Sequence, residues 1–237
     1  MPTRFTFDPA VDALPVWSAD GSRILFNSSR SGGSGIYVQG LDGTPAEAIM
    51  PSQPGVVKSV CDWSVDGRYI LFRLLDPAGS YDLYALPMEP PRTPLPVAHT
   101  GSDERDGQFS PDGRWIVYQS DESGRPELYV QPFIGPGQRQ RVTNDFGTQA
   151  RWRADGKELY YINGRNQLVA MSVDLKGTAG LTFGPPSVLF TTHIVGAVGV
   201  QRQQYVVAPD GQRFLINTGA DDMTGTPITL ALNWRPR

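Results

Sequence analysis

Five times along the chain an Asp-Gly pair sits between an aromatic or apolar residue and a short apolar run, and this repetition limits the available folds more than any bulk property. The copies read WSADGSRILF (17–26), WSVDGRYILF (63–72), FSPDGRWIVY (109–118), WRADGKELYY (152–161) and VAPDGQRFLI (207–216). The aspartates are Asp20, Asp66, Asp112, Asp155 and Asp210, at spacings of 46, 46, 43 and 55 residues. Each is followed by a glycine: Gly21, Gly67, Gly113, Gly156 and Gly211. A tetrapeptide ending in Asp-Gly predicts a type I turn closed by a glycine at positive φ, joining two antiparallel strands. Pro111 and Pro209 stand where that turn needs a fixed φ.

The run after each turn (Ile24–Phe26, Ile70–Phe72, Ile116–Tyr118, Leu159–Tyr161, Phe214–Ile216) is apolar on both faces, as in a strand covered from two sides. A third strand follows at Gly35–Val38, Asp82–Ala85, Glu127–Val130, Gln167–Ala170 and Pro227–Trp234. A weaker, more polar fourth is expected at Ala46–Met50, Pro96–His99, Gln140–Thr143 and Ser187–Phe190, as befits an outer edge. The stretch around Lys176–Pro186 lengthens the fourth repeat. Four strands per repeat of 40–50 residues predict an all-β chain: a five-bladed β-propeller of four-stranded antiparallel blades. The blades run roughly 11–50, 57–100, 103–144, 147–191 and 202–237, in one domain spanning 1–237. The last blade lacks a fourth strand, and residues 3–8 are expected to supply it, closing the ring as a whole domain; the alternative is five blades of a larger ring. The aromatics Trp17, Trp63, Phe109 and Trp152 are expected to pack between neighbouring sheets, with Val207 as the exception.

Bulk properties agree. With 237 residues, 39% hydrophobic and 19% charged, the chain reads as a globular protein, and its 26 Gly and 21 Pro suit many short strands with tight turns. A net charge of −3 gives no reason to expect nucleic acid or anionic lipid as partner. Cys61 is the sole cysteine, which excludes an intrachain disulfide and a cysteine-based zinc site. The first residues have no apolar leader core and no stretch has the length of a membrane span, so the sequence as written is expected to be soluble and not exported.

The motif Trp-Ser-Pro/Ala-Asp-Gly-x-x-Ile/Leu-x-Phe/Tyr followed by Leu/Ile-Tyr-Val resembles the repeat of the TolB-type propellers over nearly the whole chain. Similar repeats occur in periplasmic TolB, in propeller domains of prolyl-oligopeptidase-like peptidases, and in sensor regions of bacterial regulators and kinases. The ending 210–217 followed by 227–234 resembles the tail of kinase-attached propellers. The resemblance implies the fold and allows a periplasmic location; propellers host unrelated roles, so it fixes no activity.

The motifs that suggest chemistry have plainer readings. Asp145-Phe146-Gly147 spells the kinase magnesium triplet without the companion loops, and is expected to be a loop. Ser31–Gly35 matches no phosphate loop or nucleophile elbow and reads as a hairpin tip. His99 and His193 lie in different repeats and read as surface or packing residues. The five aspartates, one per repeat, cap turns rather than converge on calcium. No metal, cofactor or catalytic set is expected.

The candidate site comes from aligning the repeats. Four residues before the turn Asp stand Val16, Asp62, Gln108, Arg151 and Val206; six before stand Leu14, Val60, Asp106, Gln149 and Gln204, with Arg105 and Gln203 adjacent. Asp62, Arg105, Asp106, Gln108, Gln149, Arg151, Gln203 and Gln204 would line the channel mouth and hydrogen-bond a protein, a peptide or a small polar ligand, or stand as a merely wet wall. The leading reading is a non-catalytic binding, scaffold or sensor module. Its rivals are a hydrolase or lyase using Asp62, Asp103, Glu104 and Asp106, and a gate over a catalytic domain of a larger peptidase or kinase.

Overall fold

The computed structural model describes residues 4–175, 180–194 and 203–218, and the backbone of 229–231. All its regular structure is strand, arranged as antiparallel sheets. The first sheet runs β1 (Asp12–Trp17), β2 (Arg23–Ser28), β3 (Gly35–Gly40), β4 (Glu47–Met50). The second runs β5 (Lys58–Trp63), β6 (Tyr69–Leu75), β7 (Tyr81–Pro87), β8 (Leu95–Ala98). The third comprises β9 (Glu104–Phe109), β10 (Trp115–Ser120), β11 (Glu127–Pro132) and the short β12 (Gln140–Arg141), again in sequence order. The fourth runs β13 (Thr148–Trp152), β14 (Glu158–Ile162), β15 (Gln167–Asp174), with β16 (Thr182–Phe183) and β17 (Ser187–Thr191) both pairing with β15. β18 (Tyr205–Val207), β19 (Phe214–Ile216) and β20 (Thr229–Ala231) form the last, three-stranded sheet. The chain divides into two compact units, 1–107 and 108–237.

The Asp-Gly turns form as expected. Gly21, Gly67, Gly113, Gly156 and Gly211 have φ between 68° and 74°, and each donates its N–H to the carbonyl three residues earlier at 2.8–2.9 Å. Each aspartate accepts the N–H two residues on, as in Ser22 to Asp20 at 3.0 Å and Arg114 to Asp112 at 3.1 Å. A serine two residues before the aspartate completes three of the turns. Ser18, Ser64 and Ser110 donate their hydroxyls to Asp20, Asp66 and Asp112 at 2.6–2.7 Å, and accept the N–H of Arg23, Tyr69 and Trp115. In the fourth repeat Arg153 does this from outside, pairing with Asp155 at 2.7 Å.

The strand after each turn forms the core. Leu25, Leu71 and Val117 are fully buried and Tyr160 is 2% exposed. Within 1–107 these strands build a cluster of Leu25, Val38, Val60, Trp63, Ile70 and Phe72. Within 108–237, Val117, Leu128, Val130, Ala150, Leu159 and Val169 do the same. Trp63 and Phe109 are buried, and Trp152 packs on the second cluster. Trp17 departs from expectation at 56% exposed, and Leu215, at the place of Leu25 and Leu71, is 44% exposed. The first and last repeats thus leave apolar surface that their counterparts cover.

The expected closing strand is not seen among the described residues: positions 4–8 are irregular, and β20 pairs with β19 alone. Phe5 packs instead against Ile24, Phe26 and Tyr37. Residue 3, residues 227–228 and 232–234 of the expected last strand, and residues 176–179 of the fourth repeat's linker lie outside the described residues.

The turns carry a pH signature. The Ser18 hydroxyl, with the N–H and hydroxyl of Ser22, holds the Asp20 carboxyl at about 2, and the Arg153 guanidinium with the Lys157 N–H holds Asp155 at about 2. Both lie below the value of an unfolded aspartate, so the stabilisation is complete above that value and is lost as pH falls through about 2. Removing both carboxylates (Asp20→Ala with Asp155→Ala) is expected to lower the urea midpoint at pH 7, with the gap to the unaltered protein closing as pH drops from 4 to 2. A gap independent of pH contradicts this role.

Candidate functional site

The first strand of a sheet bulges. Pairing jumps between Ala13 and Val16 in β1, between Val60 and Asp62 in β5, and between Thr148 and Arg151 in β13. Leu14, Asp106 and Gln149, all six residues before a turn aspartate, have φ of 55°, 52° and 55°. A side chain in this left-handed region costs about 1–2 kcal/mol, and a bulge re-aims the residues beside it. Apolar Leu14 adopts the same backbone, so the bulge belongs to the repeat; what varies is the side chain mounted on it.

In the unit 1–107, the bulges bring together part of the expected site. Burial pushes the Cys61 thiol up to about 12, and the Asp106 and Asp62 carboxylates push the same way while Arg73 and the Gly107 N–H oppose them. These five groups therefore share one neighbourhood. Arg73 lies in β6, between Ser59 and Leu83 on the flanking strands. It is 4% exposed, and its Nε and Nη1 have no hydrogen-bond partner among the described residues. Its guanidinium lies 4.7 Å from the Tyr81 ring centroid, and that of Arg105 lies 4.6 Å from the same ring. Arg105 is held by Asp103 at 2.6 Å, and Asp103 also accepts the Tyr81 N–H at 2.9 Å.

In the unit 108–237, Gln149 is fully buried, and its Oε1 accepts the Gln204 N–H at 2.8 Å while its carbonyl accepts the Tyr205 hydroxyl at 2.8 Å. Burial raises Tyr205, opposed by the charge of Arg151 nearby. Gln149 Nε2, Arg151 Nε and both side-chain polar atoms of Gln203 are buried with no partner among the described residues. Gln108 is buried in β9.

The eight candidates thus divide. Asp62, Arg105 and Asp106 gather around Cys61, Arg73 and Tyr81; Gln149, Arg151 and Gln204 gather around Tyr205. Of the four carboxylates considered for catalysis, Asp103 is engaged as described, and buried Glu104 accepts the Thr100 hydroxyl at 2.5 Å. Asp145-Phe146-Gly147 is a loop: Phe146 has φ 74° and donates its N–H to Glu127. Gly32 turns the β2–β3 hairpin at φ 79°. His193 is exposed, whereas His99 Nδ1 lies 2.7 Å from the buried Asp82 carboxylate, a pairing its place on an outer strand did not suggest. Among the described residues no group of three or more His, Cys, Asp or Glu is placed to hold a metal ion.

Sequence reasoning missed Arg73, although a signal existed. Seven residues after the turn aspartate the repeats carry Asn27, Arg73, Gln119, Ile162 and Asn217, polar in four of five directly after an apolar run. Asn27 shows the ordinary use of that place. Its amide donates to the Lys58 carbonyl at 2.9 Å and accepts the Val60 N–H at 2.9 Å, tying β2 to β5.

Comparison with known proteins bears on the fold. No family model matches the chain. A 43-residue stretch is 49% identical to the Tol-Pal system protein TolB of Bordetella pertussis, spanning 18% of this chain and 10% of that protein. Among solved structures, TolB from Acinetobacter baumannii superposes with a TM-score of 0.69 at 20% identity, over 89% of this chain and 49% of the other. A putative TolB from Agrobacterium tumefaciens gives 0.52 at 16% identity, over 77% of this chain and 83% of the other. An oligogalacturonate lyase in complex with manganese gives 0.65 at 13% identity, over 96% and 67%. The chain spans about half the Acinetobacter protein and matches a tenth of the Bordetella one. Its antiparallel sheets and repeated turns make it a β-propeller of TolB-like fold.

Proposed function

We propose that this chain is a non-catalytic binding module whose first and second strands present polar side chains to a protein partner, a peptide or a small polar ligand. The observation that carries this reading is the set of buried polar atoms without partners among the described residues: Arg73 Nε in one unit, Gln149 Nε2 and Arg151 Nε in the other. A buried polar group left unsatisfied costs about 1–3 kcal/mol, and such a cost is tolerated where a ligand removes it. The αL backbone at Asp106 and Gln149 adds strain at the same places. Further support comes from the matched relative's name, Tol-Pal system protein TolB.

We read the five turn motifs as five blades of one ring, the last completed by residues 3–8; the support is the regular spacing of the repeat. A Thr6→Cys, Leu230→Cys pair in a Cys61→Ala background is expected to oxidise to an intramolecular crosslink, because strands paired side by side bring Cα atoms within about 7 Å. A pair that stays reduced contradicts the closure.

Asp62→Ala and Arg151→Ala test the binding role. Each is expected to weaken captured partners about tenfold, about 1.4 kcal/mol, while the thermal midpoint holds. The assay compares partners retained from an extract by the unaltered chain and by each variant, followed by affinity measurement on what is retained. Identical partners and affinities in all three contradict the proposal, and so does turnover in a hydrolase panel abolished by Asp62→Asn.

A further inference from the structure

Arg73 occupies a position that the first repeat uses for structure. Asn27, its counterpart, closes hydrogen bonds to the backbone of the next sheet's first strand. Arg73 is longer and charged, and leaves Nε and Nη1 without hydrogen bonds among the described residues although it is 4% exposed. Burying a charge without a hydrogen-bonded counter-ion is among the costliest arrangements a fold can hold. Asp62 and Asp106 lie near enough to act on the Cys61 thiol, yet among the described residues neither bonds Arg73 Nε or Nη1. Tyr81 supplies its ring face, with the guanidinium 4.7 Å from the centroid. The neighbours Cys61, Asp62, Tyr81, Asp103 and Arg105 are each partly exposed, so the group lies close below the surface rather than in the sheet core.

We propose that Arg73 is the anchor of a carboxylate-binding site, with Tyr81 as its aromatic wall and Arg105, held by Asp103, as a second cation on the same ring. This deepens the binding-module reading and rests on it. The ligand group is a monoanion. The carboxylates of Asp62, Asp103 and Asp106 around the site repel a dianion such as phosphate, whereas a planar carboxylate matches the guanidinium plane and carries one charge.

The chain carries its own reporter, since Cys61 is its only cysteine and its thiol feels the Arg73 charge. Neutralising that charge weakens a cation that favours the thiolate, so alkylation by uncharged iodoacetamide slows. The probes are sodium acetate, sodium phosphate and sodium chloride at matched ionic strength and pH 9. Acetate is expected to slow Cys61 alkylation at least threefold relative to chloride and to raise the thermal midpoint, and phosphate to behave as chloride does. Arg73→Met is expected to fold with a midpoint equal to or above that of the unaltered chain, and to lose the acetate response. Arg73→Lys, keeping charge without the planar fork, is expected to retain a weakened response. Equal alkylation rates and midpoints in acetate and chloride overturn the proposal, as does a drop in midpoint for Arg73→Met, which makes the guanidinium structural. An acetate-insensitive chain that still captures partners through Asp62 and Arg151 overturns the carboxylate site and leaves the binding module standing. An acetate response without any captured partner does the reverse.

Discussion

The turn closed by Asp and Gly is the constraint on which the rest depends, because it fixes the register of the strand behind it. Side chains alternate faces along a strand, so a slip of one residue would exchange the two faces of that strand. The glycine at positive φ, the aspartate capping the N–H beyond it and the serine locked between them leave one register available. With register set, Leu25, Leu71 and Val117 fall where they are fully covered. The hydrophobic cores follow from the turns.

A rigid scaffold of this kind can carry local cost. The first strands accept left-handed backbone at Leu14, Asp106 and Gln149. At Leu14 the side chain packs partly buried against apolar neighbours. At Asp106 and Gln149 the same backbone instead mounts polar groups in buried surroundings. Arg73 extends the pattern to the second strand, where a backbone-stitching Asn in one repeat gives way in the next to a guanidinium whose Nε and Nη1 have no hydrogen-bond partner among the described residues. On the proposed binding role these points trade stability for recognition, while the shared turn and core are kept.

Much of the fold was legible because it is local. The Asp-Gly turns, the apolar run after them and the third strand recur in sequence, and β2, β3, β6, β7, β10, β11, β14 and β15 stand where those signals put them. The weak fourth strands were also legible, down to the two-residue β12. The exposure of Trp17 was not, because burial of an aromatic depends on what stands opposite, and the motif around Trp17 matches that around the buried Trp63. The site was half legible. Position within the repeat picked out Asp62, Arg105 and Asp106, all on first strands. Arg73 escaped because it ends an apolar run, where a long charged residue reads as the strand emerging into solvent; only the bonding of Asn27 gives that place its meaning. The Asp82–His99 contact escaped because it joins a third strand to the residue just past a fourth, a pairing that depends on sheet register.

The account turns on whether the buried charge of Arg73 waits for a ligand. Diffraction from crystals grown with acetate would test this most directly, through the electron density around Nε. We predict a planar carboxylate within hydrogen-bonding distance of Nε or a terminal nitrogen, with the Tyr81 ring alongside. A guanidinium swung onto Asp62 or Asp106, with no acetate against it, would contradict the account.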